Sequence, residues 1–210
     1  MYKLYYAPGA ASLAVHWMLI DLGVPFEAVR LDLGARQHKD PEYLRLNPNG
    51  LVPTLVIDGT PVYECAALLL LLAERHPQAA LAPAPGSPER LAYLQWMTHL
   101  TNTVQAGFRG WFHPEEVAGE DFAPRVQDFS RAQVESAWDR VDAQLAATGP
   151  YITGRQLTAA DFLATMLMRW SRNMPRPADE WTSIRGYVAR MKGRPSFRTL
   201  YEREGLTEWA

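Results

Sequence analysis

The sequence of 210 residues predicts an α/β domain followed by an all-helical domain, and three observations support this. Strand-like and helix-like segments alternate in the order β-α-β-α-β-β-α up to residue 75. Proline then concentrates over residues 77–88, which neither a helix interior nor a central strand tolerates. Beyond this stretch, apolar residues recur only at helical spacing. We therefore predict a first domain over residues 1–80, a linker over 81–88 and a helical domain over 89–210.

The elements of the first domain follow from local signals. Short apolar runs predict four strands, at Lys3–Ala7, Glu27–Leu31, Thr54–Ile57 and Pro61–Tyr63. Helical spacing predicts helices at Ser12–Leu22, Pro41–Leu46 and Glu64–Arg75. The dipeptide Asp58-Gly59 joins the last two strands as a tight hairpin turn, because both residue types tolerate positive φ. This order predicts a small mixed sheet covered by helices.

The second domain shows helical patterns over residues 91–111 and 126–145. Further along, Thr158-Ala159-Ala160-Asp161 matches an acidic variant of the N-terminal capping box, in which two side chains satisfy amides that lack intrahelical partners. A buried helix is predicted to follow over Phe162–Trp170. Two more helices are predicted around residues 181–191 and 196–204, separated by Gly193-Arg194-Pro195.

Composition excludes several classes of function. The formal net charge is -2, without the basic surplus that binding to nucleic acid needs. The longest apolar run, Ala66–Ala73, is far shorter than the roughly 20 residues that cross a bilayer, so we expect no membrane association. The single cysteine, Cys65, forbids an internal disulfide and favours the cytoplasm. The five histidines are scattered along the chain, and we expect no metal site.

The segment Asn49-Gly50-Leu51-Val52-Pro53-Thr54 places a proline directly before a strand that should be central. Proline there removes a hydrogen bond of the sheet. A cis Val52–Pro53 bond would account for it and would leave the Val52 N–H and C=O free to pair with an extended peptide ligand. The alternative is a strand that simply begins after the proline.

The junction Tyr63-Glu64-Cys65-Ala66 places an acidic and a small polar residue between a strand and a helix. A helix N-terminus binds carboxylates, and Glu64 beside it would bind an ammonium group. Together they would hold an α-amino acid head group. The alternative is that Glu64 only complements the dipole of its own helix and that Cys65 is a small residue at the helix start.

These two segments and the proline-rich stretch occur in an order that resembles a cytosolic glutathione transferase of the bacterial, beta-like branch. The resemblance covers nearly the whole chain. Its markers are Tyr6-Ala7-Pro8-Gly9-Ala10-Ala11-Ser12-Leu13, Pro41-Glu42-Tyr43-Leu44, Asn47 to Pro53, Glu64-Cys65-Ala66-Ala67 and Leu157-Thr158-Ala159-Ala160-Asp161. The family implies a thioredoxin-like N-terminal domain, a C-terminal helical-bundle domain, and a homodimer in which glutathione binds mainly to the first domain.

By this resemblance, Val52 before Pro53 pairs with the cysteinyl backbone of glutathione, and Glu64 and Cys65 hold its γ-glutamyl end. The family usually has serine at the position of Cys65, so a weaker donor replaces a hydroxyl here. Bacterial relatives carry cysteine at the position of Ala11, and serine-type classes carry serine near Ala10. These two alanines argue against strong activity.

The hydroxyl groups that remain to activate the glutathione thiol are those of Ser12 and Tyr6, with Ser12 slightly favoured. The alternatives are an N-cap role for Ser12 and a packing role for Tyr6. The resemblance also implies a pocket for the second substrate between the domains, lined by apolar residues that include Phe108 and Trp111. Aromatic residues at helical spacing are otherwise core residues.

The resemblance implies a detoxifying enzyme that conjugates the glutathione thiolate to a hydrophobic electrophile. Glutathione would be a co-substrate, with no permanently bound cofactor. A second interpretation keeps the same binding site for a glutathione-dependent reductase, isomerase or etherase. A third is a non-catalytic glutathione-binding interaction protein, which the alanines at 10 and 11 would permit.

Overall fold

A computed structural model describes all 210 residues, and the chain divides into two compact units. The first unit combines residues 1–82 with residues 192–210, and the second contains residues 83–191. No helix in the chain combines the length and the apolar character needed to cross a membrane.

The first unit contains one four-stranded mixed sheet, formed by β1 Tyr2–Tyr6, β2 Phe26–Arg30, β3 Thr54–Ile57 and β4 Thr60–Tyr63. The order of the strands across the sheet is β2-β1-β3-β4. β1 runs parallel to β2 and antiparallel to β3, and β3 runs antiparallel to β4. Asp58 and Gly59 form the predicted two-residue hairpin turn, both with positive φ. The mixed sheet expected from the sequence is confirmed.

Helices cover both faces of this sheet, because successive side chains of a strand point to opposite sides. The Tyr5 ring lies 5.6 Å from the ring of Tyr43, whereas the Tyr6 ring lies 4.7 Å from that of His16 on the other face. The core is completed by leucines that are fully buried in the sheet and in the helices above it. The helices are α1 Ser12–Asp21, α2 Pro41–Leu44 and α3 Cys65–Arg75.

The last helix of the chain, α10 (Pro195–Glu204), packs on α1 and so lies in the first unit. The sequence-based boundaries assigned it to the helical domain. Trp17 donates a hydrogen bond to Ser196 at 2.9 Å, and the Arg194 guanidinium forms a bidentate pair with Asp21. α1 is therefore covered by the sheet on one side and by α10 on another, which explains why its first eight residues are all buried.

The second unit is entirely helical apart from one isolated β-bridge. The pattern over residues 91–111 is not one regular α-helix, because Leu100–Gln105 forms a π-helical segment. Leu91 and Leu94, which belong to this apolar pattern, are exposed. The helices are α4 Pro88–His99, α5 Ala106–Phe112, α6 Pro114–Ala118, α7 Ala123–Thr148, α8 Ala159–Trp170 and α9 Thr182–Lys192.

α8 is the central helix of the second unit, and the predicted capping box at its start is confirmed. The buried Asp161 carboxylate accepts hydrogen bonds from the N–H groups of Thr158 at 2.7 Å and Ile152 at 2.9 Å. The Tyr187 hydroxyl donates to it as well, at 3.1 Å. Burial raises the pKa of Asp161 to about 6, although these hydrogen bonds act in the opposite direction.

Asp161→Ala is expected to lower the free energy of unfolding by about 2–4 kcal/mol, because two backbone N–H groups lose their acceptor in the interior. Denaturant unfolding measures this change. Asp128→Ala removes the same side chain from an exposed position on α7 and should change stability by at most about 0.5 kcal/mol. Equal effects of the two substitutions would contradict the structural role of Asp161.

Candidate active site

The register of the sheet brings three chain segments to one of its ends. Tyr5 of β1 lies opposite Thr54, the first residue of β3, and Thr54 in turn lies opposite Tyr63, the last residue of β4. The residues that follow β1, precede β3 and follow β4 therefore meet at the same end. This end gathers the start of α1, the Val52–Pro53 bond, and the start of α3.

The Val52–Pro53 peptide bond is cis, as predicted, and β3 begins at Thr54, directly after the proline. The cis bond and the strand that begins after the proline, which the sequence analysis gave as alternatives, therefore occur together. No protein group forms a hydrogen bond with the Val52 N–H or C=O. Because these groups lie at one end of the sheet and are unpaired, they can form hydrogen bonds with the backbone of an extended ligand.

A buried hydrogen-bond network holds the loop before Val52, and it was not foreseen from the sequence. The Tyr43 hydroxyl and the Asn47 amide both donate to the Leu51 carbonyl, at 2.6 Å and 2.8 Å. The same two side chains contact the Thr54 hydroxyl at 2.7 Å and 3.2 Å. The only available signal was that Tyr43 and Asn47 fall within the segments that carried the family resemblance.

Lys39 holds the same loop from outside. Its ammonium group donates to the carbonyls of Gly50 at 2.8 Å and Asn49 at 3.2 Å. Gly50 has φ +57°, and a Cβ there would lie 2.8 Å from Lys39 Nζ and 2.9 Å from the carbonyl oxygen of His38. Only glycine fits this position without movement of its neighbours.

The resemblance implies that glutathione binds at this end of the sheet. Asn47→Ala is then expected to weaken its binding about 3- to 10-fold, because the loop that carries Val52 loses the hydrogen bonds that fix it. Calorimetric titration measures the affinity. Asn49→Ala serves as the matched control, since that side chain is exposed and makes no hydrogen bond. Unchanged affinity in Asn47→Ala would show that the network does not position Val52.

Glu64 lies directly before α3 in a strained backbone conformation, with φ 77° and ψ 108°. A non-glycine residue with positive φ costs of order 1–3 kcal/mol, and such residues cluster at ligand sites. Its carboxylate is exposed and has no hydrogen-bond partner within the chain. No side chain caps α3, so the first N–H groups of the helix, which have no intrahelical acceptor, are available to an anion.

Cys65 is the first residue of α3, and its thiol is buried. Burial raises the pKa of Cys65 to about 12, and the charge of the neighbouring Glu64 acts in the same direction. The thiol is therefore protonated at neutral pH, although it lies at a helix N-terminus. This state leaves Cys65 without the thiolate that nucleophilic attack or thiol exchange requires.

Cys65 is expected to react with a disulfide reagent at least about 100-fold more slowly in the folded protein than in denaturant, because the reactive thiolate is disfavoured by burial. Reaction with Ellman's reagent at mildly alkaline pH measures both rates. The chain has one cysteine, so the signal reports on this residue alone. A fast reaction of the folded protein would instead identify an activated thiol.

The start of α1 lacks a side-chain cap, because Ala10 and Ala11 stand where a polar residue would be. No acceptor within the chain binds the N–H groups of Ala11 and Ser12. The Ser12 hydroxyl is fully buried and both donates to the Ala7 carbonyl at 3.2 Å and accepts from the Ala7 N–H at 3.1 Å. Its hydrogen bonds therefore close the β1–α1 loop.

Tyr6 differs from Ser12 in that its hydroxyl has no hydrogen-bond partner in the chain. Burial raises the pKa of Tyr6, and the negative charge of Glu204 raises it further. The hydroxyl is therefore protonated at neutral pH and can act as a donor. Of the two predicted hydroxyl groups, that of Tyr6 is the available one, and a catalytic role for either residue stays a prediction.

The two residues predicted for the second-substrate pocket lie on α5. Phe108 is fully buried and packs against Phe112, Trp138 and Trp170, with ring centroids 5.6–6.4 Å apart. Trp111 is half-buried. Phe112, in the same aromatic cluster, is 45% exposed and offers more accessible surface than Phe108. A role in substrate contact stays a prediction for both Phe108 and Trp111.

One group of side chains brings atoms of the kind that coordinate metal ions close together. His113, Glu115 and Glu116 bring such atoms within 4.8 Å of one another. All three are exposed, and Glu116 is paired with Arg109. Structural metal sites usually satisfy their ligands in a closed shell, which this surface group does not provide.

Comparison with known proteins agrees with this geometry. Residues 10–75 match the family described as glutathione S-transferase, N-terminal domain. The chain is 31% identical over 206 residues to the glutathione S-transferase GstA of Escherichia coli O157:H7. The aligned region covers 97% of this chain and 99% of that protein. The protein therefore belongs to the glutathione S-transferase family, and its resemblance to the bacterial branch is confirmed.

Two solved structures extend the likeness to the whole fold. A ternary complex of BphK, a bacterial glutathione S-transferase, superposes with a TM-score of 0.87 at 32% sequence identity. The superposition covers 97% of this chain and 100% of that chain. A sphingomonad glutathione S-transferase complexed with glutathione has a TM-score of 0.85 at 30% identity, with coverages of 98% and 100%. The predicted thioredoxin-like and helical architecture is confirmed.

Proposed function

We propose that this protein is a glutathione S-transferase that conjugates the glutathione thiolate to a hydrophobic electrophile. The proposal rests on one observation. At one end of the sheet, Val52 and the starts of α1 and α3 present backbone groups that have no hydrogen-bond partner in the chain. Glutathione is an extended peptide with a thiol in the middle and an α-amino acid group at one end. Its chemistry is complementary to these three elements.

The free N–H and C=O of Val52 pair with the cysteinyl backbone of glutathione, as an added strand pairs with a sheet edge. The γ-glutamyl carboxylate accepts hydrogen bonds from the first N–H groups of α3, and its ammonium group pairs with the Glu64 carboxylate. Backbone donors explain why Cys65 can replace the usual serine, since the thiol itself is a weak donor.

Catalysis requires the glutathione thiol to ionise near neutral pH. Lowering a thiol pKa from about 9 to about 6.5 requires roughly 3.4 kcal/mol of preference for the anion. The N–H groups of Ala11 and Ser12, at the positive end of α1, supply donors of this kind, and Tyr6 is the candidate for a further one. The proton leaves to solvent, the thiolate attacks the electrophilic carbon, and a C–S bond forms as the leaving group departs with its electron pair.

The helical unit supplies apolar surface for the second substrate. Phe112 and Trp111 are its accessible aromatic side chains on α5, and Phe108 packs against Phe112 from the core. Aromatic surface of this kind suits a hydrophobic electrophile. The physiological role is detoxification, with glutathione as co-substrate and no permanently bound cofactor.

We also propose a cytoplasmic homodimer. Large apolar side chains are exposed on both units. Exposed apolar side chains that form a contiguous patch are typical of protein interfaces. The single buried cysteine is consistent with a reducing compartment. The exposed apolar residues include Leu51 and Tyr63 in the first unit and Leu91, Leu94 and Phe129 in the second.

Glu64→Gln is expected to weaken glutathione binding about 10- to 100-fold, because the ammonium group loses its charged partner while the backbone remains unchanged. Calorimetry measures binding, and turnover of 1-chloro-2,4-dinitrobenzene is recorded on the same samples. Glu42→Gln, at a position 91% exposed, is the matched control and should leave binding unchanged.

The outcomes separate the interpretations of the site. Saturable binding with turnover supports a transferase. Binding without turnover favours the non-catalytic glutathione-binding protein, and turnover only in thiol exchange favours the reductase. Absence of any binding would mean that the fold has been kept without its ligand.

A further inference from the structure

The sequence contains one Asn-Gly pair, Asn49-Gly50, and it lies in the loop before Val52. An asparagine side chain can react with the backbone nitrogen of the next residue. Glycine in that next position favours the reaction, because it has no side chain to shield the nitrogen. Proline has no N–H to react, and larger side chains hinder the approach. The other asparagines, Asn47, Asn102 and Asn173, precede proline, threonine and methionine.

The fold requires the glycine of this pair. Gly50 is buried with φ +57°, and a Cβ there would meet the Lys39 ammonium group and the His38 carbonyl oxygen. The Asn49 side chain, in contrast, is exposed and makes no hydrogen bond. No contact within the chain therefore prevents its amide from turning toward the Gly50 nitrogen. The backbone conformation of the loop thus places a reactive pair beside Val52.

The reaction exchanges an amide nitrogen for an oxygen. The Gly50 nitrogen loses its proton and attacks Cγ of Asn49, and a C–N bond forms as the side-chain nitrogen departs as ammonia with that proton. The product is a five-membered cyclic imide, which water opens at one of its two carbonyls. Opening at Cγ leaves an aspartyl residue at position 49. Opening at the backbone carbonyl leaves an isoaspartyl residue, in which the main chain runs through the side-chain carbons.

Two sets of hydrogen bonds restrain the reacting nitrogen in the folded chain. The Gly50 N–H donates to the Asn47 carbonyl at 2.9 Å, which holds the proton that must leave. The Lys39 ammonium group binds the carbonyls on both sides of this nitrogen, that of Asn49 at 3.2 Å and that of Gly50 at 2.8 Å. These contacts oppose the rotation that would present the nitrogen to Cγ. Reaction therefore requires local opening of the loop.

We propose that Asn49 is a site of spontaneous deamidation, that Lys39 limits its rate by holding the loop closed, and that the isoaspartyl product no longer binds glutathione well. The last part rests on the proposed function. An isoaspartyl residue lengthens the main chain by one carbon directly before Gly50, which shifts the backbone that leads to Val52. Glutathione bound to Val52 holds the closed loop in turn and slows the reaction.

The rate of modification is measured by mass spectrometric peptide mapping after incubation at neutral pH. Lys39→Met is expected to raise the rate about 10-fold, because two hydrogen bonds from a charged donor no longer oppose opening of the loop. Lys39→Arg keeps a charged donor and should stay within about 3-fold of the wild type. Arg45→Met removes an exposed cation directly after α2 and should leave the rate unchanged. Circular dichroism confirms that each variant is folded.

Two further measurements use the unsubstituted chain. Saturating glutathione should slow the modification at least about 3-fold, because the bound loop opens less often. Incubated protein is also separated into its aspartyl and isoaspartyl forms, and each is titrated with glutathione by calorimetry. The isoaspartyl form is expected to bind at least about 10-fold more weakly than the unmodified protein. Asn49→Asp carries the new charge on an unchanged backbone and should bind within about 3-fold of the wild type.

The results test the parts of this inference separately from the proposed function. Lys39→Met modified no faster than the wild type, or a folded wild type modified as fast as the chain in denaturant, would overturn the role of Lys39. Equal binding of glutathione by the isoaspartyl and unmodified forms would overturn the effect on the site. A wild type that binds no glutathione would overturn the proposed function, while the modification rates would still decide the role of Lys39. Faster modification without Lys39 and weak binding by the isoaspartyl form support the proposal.

Discussion

The position of β3 between β1 and β4 is the constraint on which the candidate site depends. Its antiparallel register places the end of β1, the start of β3 and the end of β4 at the same edge. Backbone N–H and C=O groups at that edge have no neighbours in the sheet, and the starts of two helices add unpaired N–H groups beside them. A peptide ligand can therefore be recognised mainly by the backbone, which tolerates changes in side chains such as Cys65.

Unpaired backbone groups are costly unless water or a ligand satisfies them, so the rest of the first unit must hold them in place. Three buried interactions do this. The Tyr43–Asn47 network fixes the loop before Val52, the Ser12 hydroxyl closes the loop after β1, and Glu204 binds Gly9. α10 is therefore part of the structural support of the site, although it lies far from it in sequence.

The sequence predicted those features that depend on local signals. The mixed sheet, the Asp58-Gly59 hairpin, the cis Val52–Pro53 bond and the capping box at Asp161 each follow from a few neighbouring residues. Features set by distant contacts were not predicted. Apolar spacing cannot reveal the π-helical segment at Leu100–Gln105, and nothing near Glu204 indicates that its carboxylate reaches Gly9. The engagement of the Ser12 hydroxyl with Ala7 likewise depends on the path of the loop between them.

Recognition of glutathione by backbone groups at one end of the sheet can be observed residue by residue. The most direct measurement is a two-dimensional amide NMR titration of the isotope-labelled protein with glutathione. We expect saturable shifts that are largest for the amides of Ser12, Val52, Cys65 and Ala66. Saturable shifts centred on other residues, with these four amides unmoved, would contradict it.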